Sequence, residues 1–345
     1  MTARSTLHEA AAVRLPRTYR GPGLIDLQLN GYAGLDFNGD PDEWTDAEFH
    51  RIRERLGRRG VVAAFPTLIS SEPQSMIARA RRYAGIVGAD RALERCFPRL
   101  HIEGPFISPD EGPRGAHSLR HSLLPAAAPN LIDDLQEASG GRVGIVTLAP
   151  ELPGAIDLIR RCAASGIRAS IGHAQPSPAD VDAAVAAGAV MSTHLGNASH
   201  QTLPRLANYI QYQLSVDSLW AGFIADGHHM PLSTLKNFLR AKTVARSVLV
   251  TDAIMAAELG PGRYQMADKV VEVTPEGRAS QPGQPNLSGS VLTLDRAVVN
   301  VALHCGFAFE EAWAMASTNP ALLTGLPAPP EVGVTVSASG FQAAS

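Results

Sequence analysis

The chain has 345 residues, 45% of them hydrophobic and 18% charged, the balance of a globular protein with ample apolar material for one large core or two domains. A formal net charge of -3 offers no pull toward nucleic acid or acidic lipid, so neither is expected as a partner. Cys96, Cys162 and Cys305 are scattered without a CxxC, and residues 1–20 hold no long apolar run, which argues for a reducing cytoplasmic setting and against a disulfide framework, a signal peptide or a membrane anchor.

Residues 1–20 are short and unpatterned. Residues 23–31, GLIDLQLNG, read as a first strand with apolar and polar residues alternating before a glycine turn. A helix is expected over 42–56, then a second strand over 61–65 that Pro66 breaks, a helix over 73–86, and a third strand over 99–103 ended by Gly104-Pro105. The loop from 106 to 124 is long and carries several Gly and Pro residues, which marks it as functional. A fourth strand covers 143–148 and a helix 153–164. Strands five and six run up to His173 and His194, with a helix over 178–187 between them closed by Gly188. Strand, helix, strand makes the two strands parallel neighbours and brings both imidazoles to one sheet edge. Strand seven covers 220–225 and strand eight 247–252. A hairpin follows over 263–278, turning at Pro275-Glu276-Gly277, then helices over 293–304 and 309–316, a short helix from Asn319-Pro320, and a Pro- and Ser-rich tail from 327. Eight short strands mostly separated by helices are the pattern of an α/β fold, the (β/α)8 barrel.

Barrel active sites lie at the C-terminal ends of the strands. Those ends supply Gln28, Glu103, His173, His194, the pair His228-His229 and Asp252. Glu103, His173 and His194 form an oxygen-and-nitrogen set that suits a divalent metal, zinc, with a position left for water. The chemistry implied is metal-assisted hydrolysis, with Asp252 moving the water proton to a leaving nitrogen. Each residue has a plainer reading. A lone strand-end histidine is more often structural, Glu103 could orient the Gly-Pro turn, and Asp252 could cap a helix. Together they weaken that reading, because packing does not account for four such groups at one edge.

Read in order, the segments 23–31, HIEGPF (101–106), RGAH (114–117), Gly172-His173, THLGNA (193–198), ADGHH (225–229), VTDA (250–253) and LSGS (287–290) resemble the N-acetylglucosamine-6-phosphate deacetylase family of the amidohydrolase superfamily, from about residue 21 to 326. The resemblance implies Glu103, His173 and His194 as metal ligands and Asp252 as general base and acid. It implies His117 as the residue next to the substrate's acetyl carbonyl, and Gln28 beside the metal. Ala116, Asn197, Ala198, Arg205 and His229 are implied as substrate contacts, Arg205 as the charged fork on a sugar phosphate. Two-metal amidohydrolases carry His-x-His on strand one; Asp26 and Gln28 stand there instead, so one metal is expected. The family's His-Leu-aromatic-Asn-Ala-Met block departs here at Gly196 and Ser199, which alters the wall beside the sugar. The family's flanking β-sandwich is expected to be reduced or absent. The layout is then an N-terminal flank over 1–20, a barrel over 21–326 and a tail over 327–345, the whole a cytoplasmic homodimer with a small-molecule amino sugar phosphate as its partner. Two rival readings are a deacetylase for a different N-acetyl compound, and a non-catalytic barrel that binds sugar phosphate.

Overall fold

The computed structural model describes residues 15–266, 269–284 and 286–344; most of the N-terminal flank lies outside them. Eight parallel strands stand side by side in chain order: β1 (Leu24–Leu29), β2 (Val61–Ile69), β3 (Leu100–Glu103), β4 (Val143–Leu148), β5 (Arg168–Ile171), β6 (Ala189–Ser192), β7 (Trp220–Ile224) and β8 (Ser247–Val250). Every residue of β1, β3, β4 and β8 is buried, as parallel strands covered on both faces must be. Neighbours from β1 to β8 are joined by parallel ladders, with register shifts between β1 and β2, β3 and β4, and β5 and β6. The seam between β8 and β1 is not: it closes through an isolated bridge, Leu29 to Ala253, and through side chains. The expected barrel is therefore present, and its closure depends on polar groups.

Strand β2 runs straight through Pro66, where the sequence reading stops it. The reason is local. The ladder with β1 skips from Asp26 to Leu29, and Leu29 N–H donates instead to the Thr67 hydroxyl at 3.0 Å. Pairing with β3 begins only at Thr67. No ladder bond asks for the N–H that proline lacks. The helix Pro178–Ala187 matches expectation at both ends. Ser177 and Asp180 form a capping box, and Gly188 stops the helix at φ 111°. The first helix starts later than expected, at Asp46, because Thr45 and Glu48 cap it there. Helices Leu131–Ala138, Tyr209–Ser215 and Leu232–Lys242 have no counterpart in the sequence reading.

The flanking sandwich is reduced rather than absent. Thr18–Pro22, Glu331–Ser337 and Gly340–Ala343 form one antiparallel sheet with Glu331–Ser337 in the middle. The tail strand, alternating like an edge, thus has a neighbour on each side. The sheet sits by the starts of β1 and β2, where Gly23 N–H donates to Pro330 O at 2.8 Å. Trp313 Nε1 donates to Pro22 O at 2.7 Å, and Phe341 stacks on Trp313 with ring centres 5.3 Å apart. A second small sheet, Gly262–Met266, Lys269–Val273 and Ala279–Ser280, occupies the expected hairpin region. It leans on the opposite, active-site end: His228 Nε2 donates to Glu276 O at 2.9 Å, and Lys269 Nζ reaches Ala116 O at 3.4 Å.

Candidate active site

The polar residues at the mouth are held by unusual backbone. His173, His194 and Asp252 sit at φ 52°, 30° and 52°. Side-chain-bearing residues avoid this left-handed region, and each such placement costs about 1–3 kcal/mol unless its surroundings fix it. Strain at the ends of β5, β6 and β8 turns all three side chains into one volume.

There, Glu103 Oε1 lies 3.1 Å from His173 Nε2 and 3.0 Å from His194 Nε2, and the two nitrogens are 3.1 Å apart. Two ligands of one tetrahedral ion stand about 3.3 Å apart, so the triangle has the size of a metal site. Proton bookkeeping points the same way. His173 Nδ1 meets the Pro113 carbonyl at 3.1 Å; as the donor there, it leaves Nε2 in the neutral ring a bare acceptor, facing a carboxylate and a second imidazole nitrogen. A shared cation resolves that crowding of lone pairs. His117 stands close behind, its ring 4.2 Å from that of His173. Glu103, His117 and His173 each bring a ligand atom within 4.8 Å of the others.

Burial opposes charge on Glu103, but the close approach of His173 and His194 outweighs it and holds its carboxyl well below the usual range. His194 is correspondingly raised: burial lowers it, and the Glu103 contact more than compensates. Burial, then the Glu103 charge, raises Asp252, which suits a base. Burial and the neighbouring His173 push His117 down to about 3, so it is neutral in the folded protein at ordinary pH.

Gln28 Nε2 bridges Glu103 Oε1 at 2.9 Å and Asp252 Oδ1 at 3.0 Å. His117 Nδ1 meets Ser70 Oγ at 2.8 Å. Asn197 is tied to the His194 carbonyl through its Nδ2 at 3.0 Å. Ala198 sits at φ 46°, and a Cβ on Gly115 would touch both the Ala198 methyl and His173, so the loops carrying Ala116 and Asn197 abut. His229 is held by Asp226, Nδ1 to Oδ2, at 2.7 Å. Arg205 is exposed on the loop before Tyr209–Ser215 and is not brought to the cluster. Gly196 is enforced, since a Cβ there would lie 2.7 Å from Met230 Cε and 2.9 Å from Phe238 Cε2. Four contributors escape the sequence reading: Asp26, Asn30, Ser70 and the Pro113 carbonyl. For Asn30 a hint was present, as it follows Gln28 at the two-residue period of a strand face.

No protein-family profile matches the chain, but individual relatives do. The Homo sapiens N-acetylglucosamine-6-phosphate deacetylase is 35% identical over 326 residues, spanning 88% of this chain and 74% of its own length. An N-acetylgalactosamine-6-phosphate deacetylase of Escherichia coli O157:H7 is 30% identical over 311 residues, spanning 88% and 78%. Among solved structures, the N-acetyl-D-glucosamine-6-phosphate deacetylase of Mycobacterium smegmatis, a mutant of which is in complex with N-acetyl-D-glucosamine-6-phosphate, superposes with a TM-score of 0.82 at 25% identity, covering 94% of this chain and 87% of that one. The enzyme of Thermotoga maritima shares the fold at a TM-score of 0.80 and 23% identity, covering 95% and 90%. A third of the residues in common over most of the length means that this chain belongs to the N-acetylglucosamine-6-phosphate deacetylase family.

Proposed function

We propose that the chain hydrolyses the acetamide of N-acetylglucosamine 6-phosphate to acetate and the amino sugar phosphate. The observation that carries this reading is the convergence of Glu103, His173 and His194 within 3.1 Å beside Asp252, in a chain related over most of its length to such deacetylases. Glu103, His173 and His194 would hold one divalent ion, zinc by donor type. When bound, the ion polarises the scissile carbonyl and acidifies a water. Asp252 takes the proton of the attacking water and returns it to the departing nitrogen, as the C–N bond breaks. With Ser70 Oγ donating to His117 Nδ1, the neutral ring carries its proton on Nε2 and can donate to the acetyl oxygen. Asn197, Ala198 and the flexible reach of Arg205 would seat the sugar phosphate, with Ala116, Gln28 and His229 around the ring and amide. A reducing, cytoplasmic setting fits the three buried free cysteines.

A second reading, the same hydrolysis on another N-acetyl amino sugar, draws on the Gly196 wall, where Met230 and Phe238 occupy the space a side chain would need, and on the galactosamine-directed relative. Acetate release from N-acetylglucosamine 6-phosphate, its galactosamine epimer and the unphosphorylated sugar, with metal content by elemental analysis, tests both. Fastest turnover of the first substrate with one metal per chain is expected. Preference for another substrate selects the second reading, and no turnover with bound metal removes both.

A further inference from the structure

Strand β1 and the residue just past its end turn Asp26, Gln28 and Asn30 toward the same neighbour, since alternate residues of an extended chain share a face. All three act on a single dipeptide, Thr251-Asp252. Asp26 Oδ1 accepts from Thr251 N–H at 3.2 Å, and Oδ2 accepts from the Thr251 hydroxyl at 2.5 Å. The Gln28 carbonyl accepts from Asp252 N–H at 3.0 Å. Gln28 Nε2 and Asn30 Nδ2 both donate to Asp252 Oδ1, at 3.0 and 2.6 Å. These contacts stand where a regular ladder would otherwise join β1 and β8, and they hold Asp252 at φ 52°. Oδ1 is thereby saturated, while Oδ2 receives no protein donor among the described residues.

We propose that Asn30, with Asp26 acting through Thr251, positions the general base so that Oδ2 alone takes the proton of the attacking water. The inference rests on Asp252 being that base. An amide pair on Oδ1 fixes the carboxylate plane, and the buried Asp26 carboxylate fixes the backbone from which it projects. A base misplaced by about 1 Å loses about 100-fold in rate.

The test is a double-mutant cycle on the metal-loaded enzyme with N-acetylglucosamine 6-phosphate. Asn30→Ala is expected to lower kcat about 10–100-fold with KM within about threefold and metal content unchanged. In the Asp252→Asn background the same change should have no further effect, because its target is already lost. A multiplicative loss in that background, or a loss carried by KM, would overturn the proposal. Near-normal turnover of Asp252→Asn alone removes the base itself, and the inference with it. Asp26→Asn weakens the seam, so its rate is read beside its thermal unfolding curve; Asn30→Ala removes one side-chain bond of the seam, keeps the Asp26–Thr251 bonds and the Gln28 carbonyl bond, and with its own unfolding curve unchanged decides the matter.

Discussion

His101 shows how a residue can matter to the site without touching it. Its Nδ1 meets the Leu27 carbonyl at 2.9 Å and its Nε2 the Thr147 hydroxyl at 2.7 Å, and the Thr147 hydroxyl continues to Thr193 at 2.7 Å. Burial pushes its pKa down to about 4, against about 6.5 for the free side chain. Between those values the unfolded chain binds the proton that the folded chain refuses, so stability should fall as pH drops from 6.5 toward 4. In chelator-treated protein, His101→Gln should show a shallower loss of urea midpoint between pH 7 and 4.5 than the parent; parallel losses would mean His101 is not the group responsible. Arg205 poses the opposite case, an exposed charge with no hydrogen-bond or ion-pair partner among the described residues. As a phosphate fork, Arg205→Ala should raise KM about 10–100-fold for the phosphorylated sugar and hardly change it for the unphosphorylated one, as steady-state kinetics on both would read; equal effects would leave it outside the phosphate site. The convergence of Glu103, His173, His194 and Asp252 was legible because their residue types and strand-end positions both stand in the sequence. Asp26, Asn30 and Ser70 were not, because each works through a second residue, and Pro113 contributes only a carbonyl, which any residue has.

At the scale of elements, legibility followed local chemistry. The helix Pro178–Ala187 announces its ends through Ser177, Pro178 and Gly188, and the structure keeps them. Strand β2 outruns Pro66 because a neighbour's irregular register, invisible in the local sequence, excuses the missing donor. Tyr209–Ser215 starts on an Asn208 cap but is too short for a helical period to stand out. The connection between β5 and β6 sets the frame in which His173 and His194 meet, so its caps bear on stability before chemistry. Ser177→Ala removes the acceptor for the Asp180 N–H and should cost about 0.5–2 kcal/mol, seen as a lower denaturation midpoint with kcat unchanged. A fall in kcat at full folding would mean the cap also tunes the spacing of the two histidines.

Across the whole molecule the two small sheets divide the work. The hairpin sheet leans on the mouth, while the three-stranded flank lies by the starts of β1 and β2, remote from the strand ends where the cluster forms. The trimmed sandwich was foreseen from the few residues at either end, but its pairing was not, because the tail's partner is Thr18–Pro22, some three hundred positions away. What the flank covers is aromatic. Tyr19, Phe309, Trp313 and Phe341 form one cluster, with Phe341 centred 5.8 Å from Phe309 and 5.3 Å from Trp313. The Phe341 N–H also donates to buried Asp295 Oδ2 at 2.7 Å, the oxygen that Arg59 holds at 2.9 Å, so the last strand is pinned by both packing and charge. Phe341→Ala keeps the backbone bond and empties the ring site. It should cost about 3–5 kcal/mol, lowering Tm by several degrees, while kcat and metal content at 25 °C stay at the parent's values because the mouth is untouched. Calorimetry beside a turnover assay reads both quantities. Loss of turnover in fully folded Phe341→Ala protein would show that the flank reaches the site through the barrel, and an unchanged Tm would show that the sheet is held by Asp295 and its backbone pairing alone.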